Sequence, residues 1–200
     1  MTKRDYRSAS GFSLVEMMLV VGIGAVLTGM AVSQIGIARP GMNGDGAMRV
    51  TLGLMNQARQ IAIQQRRYVR VIFTTPPNTI QVIREDTTSP TVCTTTCTVL
   101  TSAYLEGNVQ FGVVSGVVDT PDGFGINSAA FNSTPVAFGS AANVKFAPNG
   151  TLVNQDGLAT NGTVFLAIPG TALSSRAVTV LGATGRVRGY RWDGKQWNVV

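Results

Sequence analysis

The chain has 200 residues, a formal charge of +6 and no histidine, which excludes histidine-based catalysis and any imidazole metal ligand. Charged residues make up only 13% of it, and Gly, Thr, Ser, Asn and Val are plentiful, a balance that suits a β-rich domain with many turns better than a helical enzyme. The length leaves room for one ordinary domain beside an anchor and not for a second.

A short basic stretch with Lys3, Arg4 and Arg7 leads into Gly11-Phe12-Ser13-Leu14-Val15-Glu16, after which Met17 to Ala38 carries no charge. About 22 residues at about 1.5 Å each make roughly 33 Å of helix, enough to cross a bilayer core of about 30 Å. The run therefore predicts a membrane anchor, with the basic leader in the cytoplasm. A carboxylate near the centre of such a segment costs about 2.5–3.5 kcal/mol, so Glu16 needs a partner or a task. A secretory signal peptide has an apolar core of about 7–15 residues and does not normally open it with Glu. A plain signal anchor leaves Gly11 and Glu16 unexplained.

At these residues the chain resembles the class III signal of type IV pilins and pseudopilins. The resemblance implies that a prepilin peptidase cuts after Gly11 and N-methylates Phe12. It divides the chain into a leader (1–11), a transmembrane and assembly helix (12–38) and a periplasmic globular domain (39–200). It also supplies the task for Glu16, whose carboxylate would be neutralised by the freed amine of Phe12 in a neighbouring subunit.

Farther on, Arg39-Pro40-Gly41 and Gly44 predict a break or kink, with helix resuming from about Ala47 to Arg67. Met48, Leu52, Met55, Ala58 and Ala62 recur there at helical spacing, with Leu54 and Ile61 alongside, and Arg49, Asn56, Arg59 and Gln60 lie toward the other face. That apolar stripe is expected to pack on a sheet. The period then changes to two: Tyr68–Phe73 and Thr79–Arg84 read as a β-hairpin around the turn-forming Thr74-Thr-Pro-Pro-Asn78.

Cys93 and Cys97 are the only cysteines. In an oxidising periplasm they suit a small-loop disulfide, with free thiols as the alternative. Two thiols with no histidine and no nearby carboxylate cannot fill a tetrahedral zinc site.

Further strands are expected at Val109–Val114, Asn143–Ala147, Thr151–Val153, Thr163–Ile168, Ala177–Leu181, Arg186–Trp192 and Gln196–Val200. The last two should form a hairpin across Asp193-Gly194. Ser115–Ala142 is too irregular for a strand and too long for a structureless connection, and predicts an ordered excursion or a short helix. Charge is uneven: the stretch 39–70 holds six arginines against Asp45, 71–175 holds two basic and six acidic residues, and 176–200 holds five basic residues against Asp193.

The order of elements gives the fold class α+β, pilin-like: a long N-terminal transmembrane helix packed by its C-terminal half on an antiparallel β-sheet domain. That order, with Leu54-Met-Asn-Gln-Ala58-Arg59-Gln-Ala-Ile, Phe146-Ala-Pro-Asn-Gly150-Thr151 and Gly185-Arg186-Val187-Arg188, resembles the GspH/FimT family of minor pseudopilins and minor pilins. GspH-like members belong to type II secretion and FimT-like members to type IV pili. The Gly-Arg-x-Arg pattern resembles one that FimT-like minor pilins use to bind DNA during uptake, and carries over to Arg186 and Arg188.

Arginines two apart on a strand point the same way about 7 Å apart and suit successive phosphates, and Arg191 and Lys195 are candidates to extend the patch. The competing reading is a solvated edge strand blunted by charge. Tyr190, Trp192 and Trp197 suit either base stacking or closure of the core, and core is the commoner use. Gly22-Ile-Gly24 with Gly29 lacks the strand and spacing of a dinucleotide site, and no nucleophile and base appear together, so no enzyme, cofactor or metal is expected. The expected partners are a prepilin peptidase, other pilin or pseudopilin subunits, inner-membrane lipid before assembly and, on the alternative reading, DNA.

Overall fold

The computed structural model describes residues 11–85, 97–125, 134–139 and 144–200. The chain divides into two compact units, Met1–Arg39 and Pro40–Val200, and the boundary falls inside a single helix, α1, Leu14–Gln65. In the first unit the stretch Leu14–Ala31 has a mean hydropathy of 2.0 and none of it is buried among the described residues, and by length and composition it can cross a membrane.

The expected break at Arg39-Pro40-Gly41 and Gly44 is not there, since α1 runs through Pro40. Proline removes one helical donor, and the turn that follows is held to the second sheet by Arg176. Arg176 donates from Nη2 to the Gly41 carbonyl at 2.9 Å and from Nε to Asp45 Oδ1 at 2.6 Å. Gly44 is not a weak point but a contact: a Cβ there would lie 2.5 Å from the Ser174 carbonyl oxygen, so only glycine lets the helix approach that backbone so closely. Helix also begins well before the expected Ala47 and ends at Gln65, with Arg66 at φ 50° closing it in the left-handed region.

The rest of the second unit is antiparallel. One sheet runs β3-β2-β1-β6-β7, built from β1 (Val69–Thr74), β2 (Thr79–Glu85), β3 (Cys97–Tyr104), β6 (Val144–Phe146) and β7 (Leu152–Val153). The other runs β11-β10-β9-β8-β4, with β4 (Gln110–Phe111), β8 (Gly162–Ile168), β9 (Thr171–Leu181), β10 (Arg186–Trp192) and β11 (Trp197–Val199), and β5 (Val136–Ala137) pairs β8 off that path. The expected hairpins β1–β2 and β10–β11 form, with Val71 opposite Val82 and Trp192 opposite Trp197. The helix stripe of Met48, Met55, Ala58 and Ala62 is buried in one core with Val69, Val71, Ile80 and Val82 of the first sheet and Val164, Leu166, Val178 and Val180 of the second.

β3 was not anticipated, because its Cys-Thr-Val-Leu-Thr-Ser run has little apolar alternation and it stands exposed at the edge of its sheet. The expected strand Val109–Val114 shrinks to two residues. Among the described residues of 115–142 there is no helix. Val113, Val114 and Val117 instead pack over the far face of the second sheet on Phe165, Ala177, Tyr190, Trp192 and Trp197, a second small core. β9 is consequently buried from Ser174 to Val180 on both faces.

A buried ionic cluster lies in the first sheet. Glu85, fully buried, accepts from Arg70 and from Lys145 Nζ at 3.1 Å, and Lys145 also lies 5.2 Å from the centre of the Tyr68 ring. Arg70 and Lys145 stand directly opposite on β1 and β6, so the carboxylate between them removes what would be a buried like-charge pair.

Candidate functional site

At the N-terminus, Gly11 and Phe12 precede the helix and are exposed, Phe12 at 79%. Ser13 stands just before α1, its carbonyl accepting from Met17 N at 3.1 Å, and Glu16 falls in the first turn. A carboxylate there faces the positive end of the helix dipole, and Ser13-x-x-Glu16 has the spacing of a capping box. The sequence reading, occupied with the cost of Glu16 in lipid, missed this local reason for a glutamate at that position. The leader cations Lys3, Arg4 and Arg7 lie outside the described residues.

On β10 the four candidate cations do not form one row. Val187 packs toward the main core and Gly189 faces α1, where a Cβ would lie 2.9 Å from Leu52 Cδ1. The odd positions therefore point to the helix, and Arg191 is among them, with Nη1 3.8 Å from Asp45 Oδ2. Arg186 and Arg188 share the opposite, outer face. Arg186 is exposed and has no side-chain partner among the described residues, whereas Arg188 is half-buried and donates to Asp122 Oδ1 at 3.3 Å. Lys195 is exposed in the β10–β11 turn, where its backbone N–H binds Asp193 Oδ1 at 2.8 Å.

The aromatic residues are core. Tyr190, Trp192 and Trp197 are all buried, the two tryptophan rings meet edge-on at 5.3 Å, and Trp197 Nε1 donates to the Val118 carbonyl at 2.8 Å. Burial, reinforced by a hydrogen bond with Asp122, raises the Tyr190 phenol above its usual range, against a smaller opposing effect of Arg188. None of the three offers a free face for a base.

The three segments that carried the family resemblance meet at one point. Arg59 Nε donates to the Gly150 carbonyl at 3.2 Å. Gly185, at φ 62°, sits so close that a Cβ there would overlap the Gly150 carbonyl oxygen and lie 2.9 Å from Arg59 Nε, and Gly150, at φ 82°, holds a left-handed backbone with its Cβ position against the tip of Ile63. Both glycines are needed for their backbone, and Gly185 also for this approach. The helix segment, the Pro-Asn-Gly turn and the glycine of Gly-Arg-x-Arg thus form a clasp between α1 and two turns.

Cys97 opens β3 and is disulfide-bonded, and Cys93 lies outside the described residues.

Residues 6–32 match the family model described as the prokaryotic N-terminal methylation motif. The N-terminus is thus a type IV pilin-like class III signal, joined to an α+β architecture consistent with a pilin-like fold. The motif implies processing by a prepilin peptidase and assembly with other pilin-like subunits. Neither a curated protein nor a solved structure matches this chain.

Proposed function

We propose that the protein is a minor pilin or pseudopilin of the GspH/FimT type, a structural subunit that is cut after Gly11, methylated on Phe12 and added to a filament through its N-terminal helix. The observation that carries this reading is the methylation motif at 6–32 joined to an apolar helix from Leu14 to Ala31 that is exposed among the described residues. Such a helix needs lipid before assembly and other helices after it. Glu16 is the assembly residue, pairing with the Phe12 amine of a neighbour. The body, from about residue 39 onward, lies in the periplasm, and Cys93 and Cys97 close a small loop there.

Co-expression with a prepilin peptidase tests the reading by mass spectrometry of the N-terminus. The expected product begins at N-methylated Phe12, and Glu16→Ala is expected to insert in the membrane and be processed yet fail to enter filaments. Incorporation of Glu16→Ala at the wild-type level would remove the assembly role, and an uncut chain would remove the pilin reading.

A second reading, a DNA-capturing minor pilin, is favoured by Arg186 and Arg188, which share the outer face of β10 with Arg186 unpaired among the described residues. Arg191 lies on the opposite face and does not extend that row, and Lys195 lies beyond the strand.

A further inference from the structure

We infer that Asp122 is an internal stand-in for phosphate, a latch that masks Arg188 and lowers the affinity of the β10 arginine row for a nucleic-acid strand. The inference rests on the DNA-binding reading of Arg186 and Arg188 and concerns how that same site is held.

Arg188 stands directly opposite Thr179 across β9 and β10. Asp122 spans the pair, with Oδ1 3.3 Å from Arg188 Nη1 and Oδ2 accepting from Thr179 Oγ1 at 2.7 Å. One carboxylate oxygen thus lies beside the guanidinium where a phosphate oxygen would bind, in a single contact longer than a close charge-assisted bond. The Asp122 side chain is 16% exposed and that of Arg188 38%, so the pair is covered from the core side and open to solvent on the other.

The surroundings allow the latch to move without unfolding the layer it belongs to. The covering segment is pinned by Val117 in the second core and by Trp197 on the Val118 carbonyl. Thr120 is buried as well, and Asp122 follows it in a turn closed by Gly123 N–H on the Thr120 carbonyl at 2.9 Å, with Gly123 at φ 63°, so the movement required is of this turn alone. An ion pair this exposed is weak, so a strand of phosphates can displace it. Until displaced, its negative charge repels the ligand and leaves Arg186 as the one uncompensated cation of the row.

The test uses the full-length chain in nonionic detergent and a labelled single-stranded oligonucleotide over a salt series. Asp122→Asn keeps the shape and removes the charge. It is expected to bind about threefold to tenfold more tightly than wild type, as loss of one nearby like charge implies, with a salt slope steeper by about 0.7 for one added phosphate contact. That gain should vanish when Arg188→Gln is added, and Asp122→Glu, which keeps the charge, should stay near wild type. A gain in Asp122→Glu as large as in Asp122→Asn would overturn the inference, because a loosened segment and not a lost charge would explain it. Equal binding by wild type and Asp122→Asn, with both weakened by Arg186→Gln, would overturn the latch and leave DNA binding standing. Binding by neither overturns both. Near-ultraviolet circular dichroism from the two tryptophans shows whether each variant keeps its outer layer.

Discussion

Asp193 shows how one exposed carboxylate can matter to a hairpin. It accepts from the backbone N–H groups of Gln196 and Lys195, each at 2.8 Å, and from the Asn198 side chain at 2.9 Å. These bonds, with Gln196 the largest contributor, lower its pKa below the ordinary 3.8. Because the folded value is the lower one, the stabilisation is present above about 3.8 and is lost as pH falls through the folded value. Denaturant melts of wild type and Asp193→Asn at a series of pH values are expected to differ by a constant gap near neutrality that closes in acid; a gap that persists unchanged in strong acid would assign the effect to shape and not charge. At this scale the sequence was legible only in part. Asp193-Gly194 announced its turn, but the role of Gly44 was misread, because the spacing of glycine and proline cannot tell a helix breaker from a helix contact when the partner, Ser174, is so far along the chain.

The elements were legible where periodicity carried them. The apolar stripe on α1, both hairpins and the strands at Thr163–Ile168 and Arg186–Trp192 follow from spacing alone, while β3 has no such pattern and owes its existence to pairing with β2. The candidate arginine site shows the same limit. Alternation put Arg186 and Arg188 on one face, and it equally implied that Arg191 faces the other way, but the acids that meet Arg188 and Arg191, Asp122 and Asp45, come from distant segments. Glu85 holds three elements of the first sheet together through Arg70 on β1 and Lys145 on β6. Removing its charge leaves two buried cations facing each other, and Glu85→Gln is expected to cost about 3–5 kcal/mol in denaturant unfolding. A loss below about 1 kcal/mol would mean that water reaches the cluster on its own account.

For the whole molecule, the two-unit division implies that residues 40–200 carry a complete core of their own. Expressed without residues 1–39, that part is expected to unfold cooperatively, with Arg176 still bound to Asp45 and Gly41, all of which it retains. A broad, non-cooperative thermal transition would show that the upstream helix is needed to complete the fold. The methylation signal, the membrane-length helix and the antiparallel strands were visible from the sequence because each has its own local signature. The clasp among Arg59, Gly150 and Gly185 was not, since it joins three segments whose spacing says nothing of their meeting.

The outer layer on the second sheet has a consequence for the order in which the chain matures. Val117 and the Val118 carbonyl wait for Trp192 and Trp197, which lie on β10 and β11, the last elements in chain order. A chain made from its N-terminal end presents the covering segment long before its platform is complete, so Val113, Val114 and Val117 remain open to other apolar surfaces during synthesis. The final hairpin therefore acts as a completion mark: a chain cut short before Trp197 keeps its main core and most of the valines' platform but lacks the ring that packs on Phe165 and holds the Val118 carbonyl, leaving that end of the outer layer open.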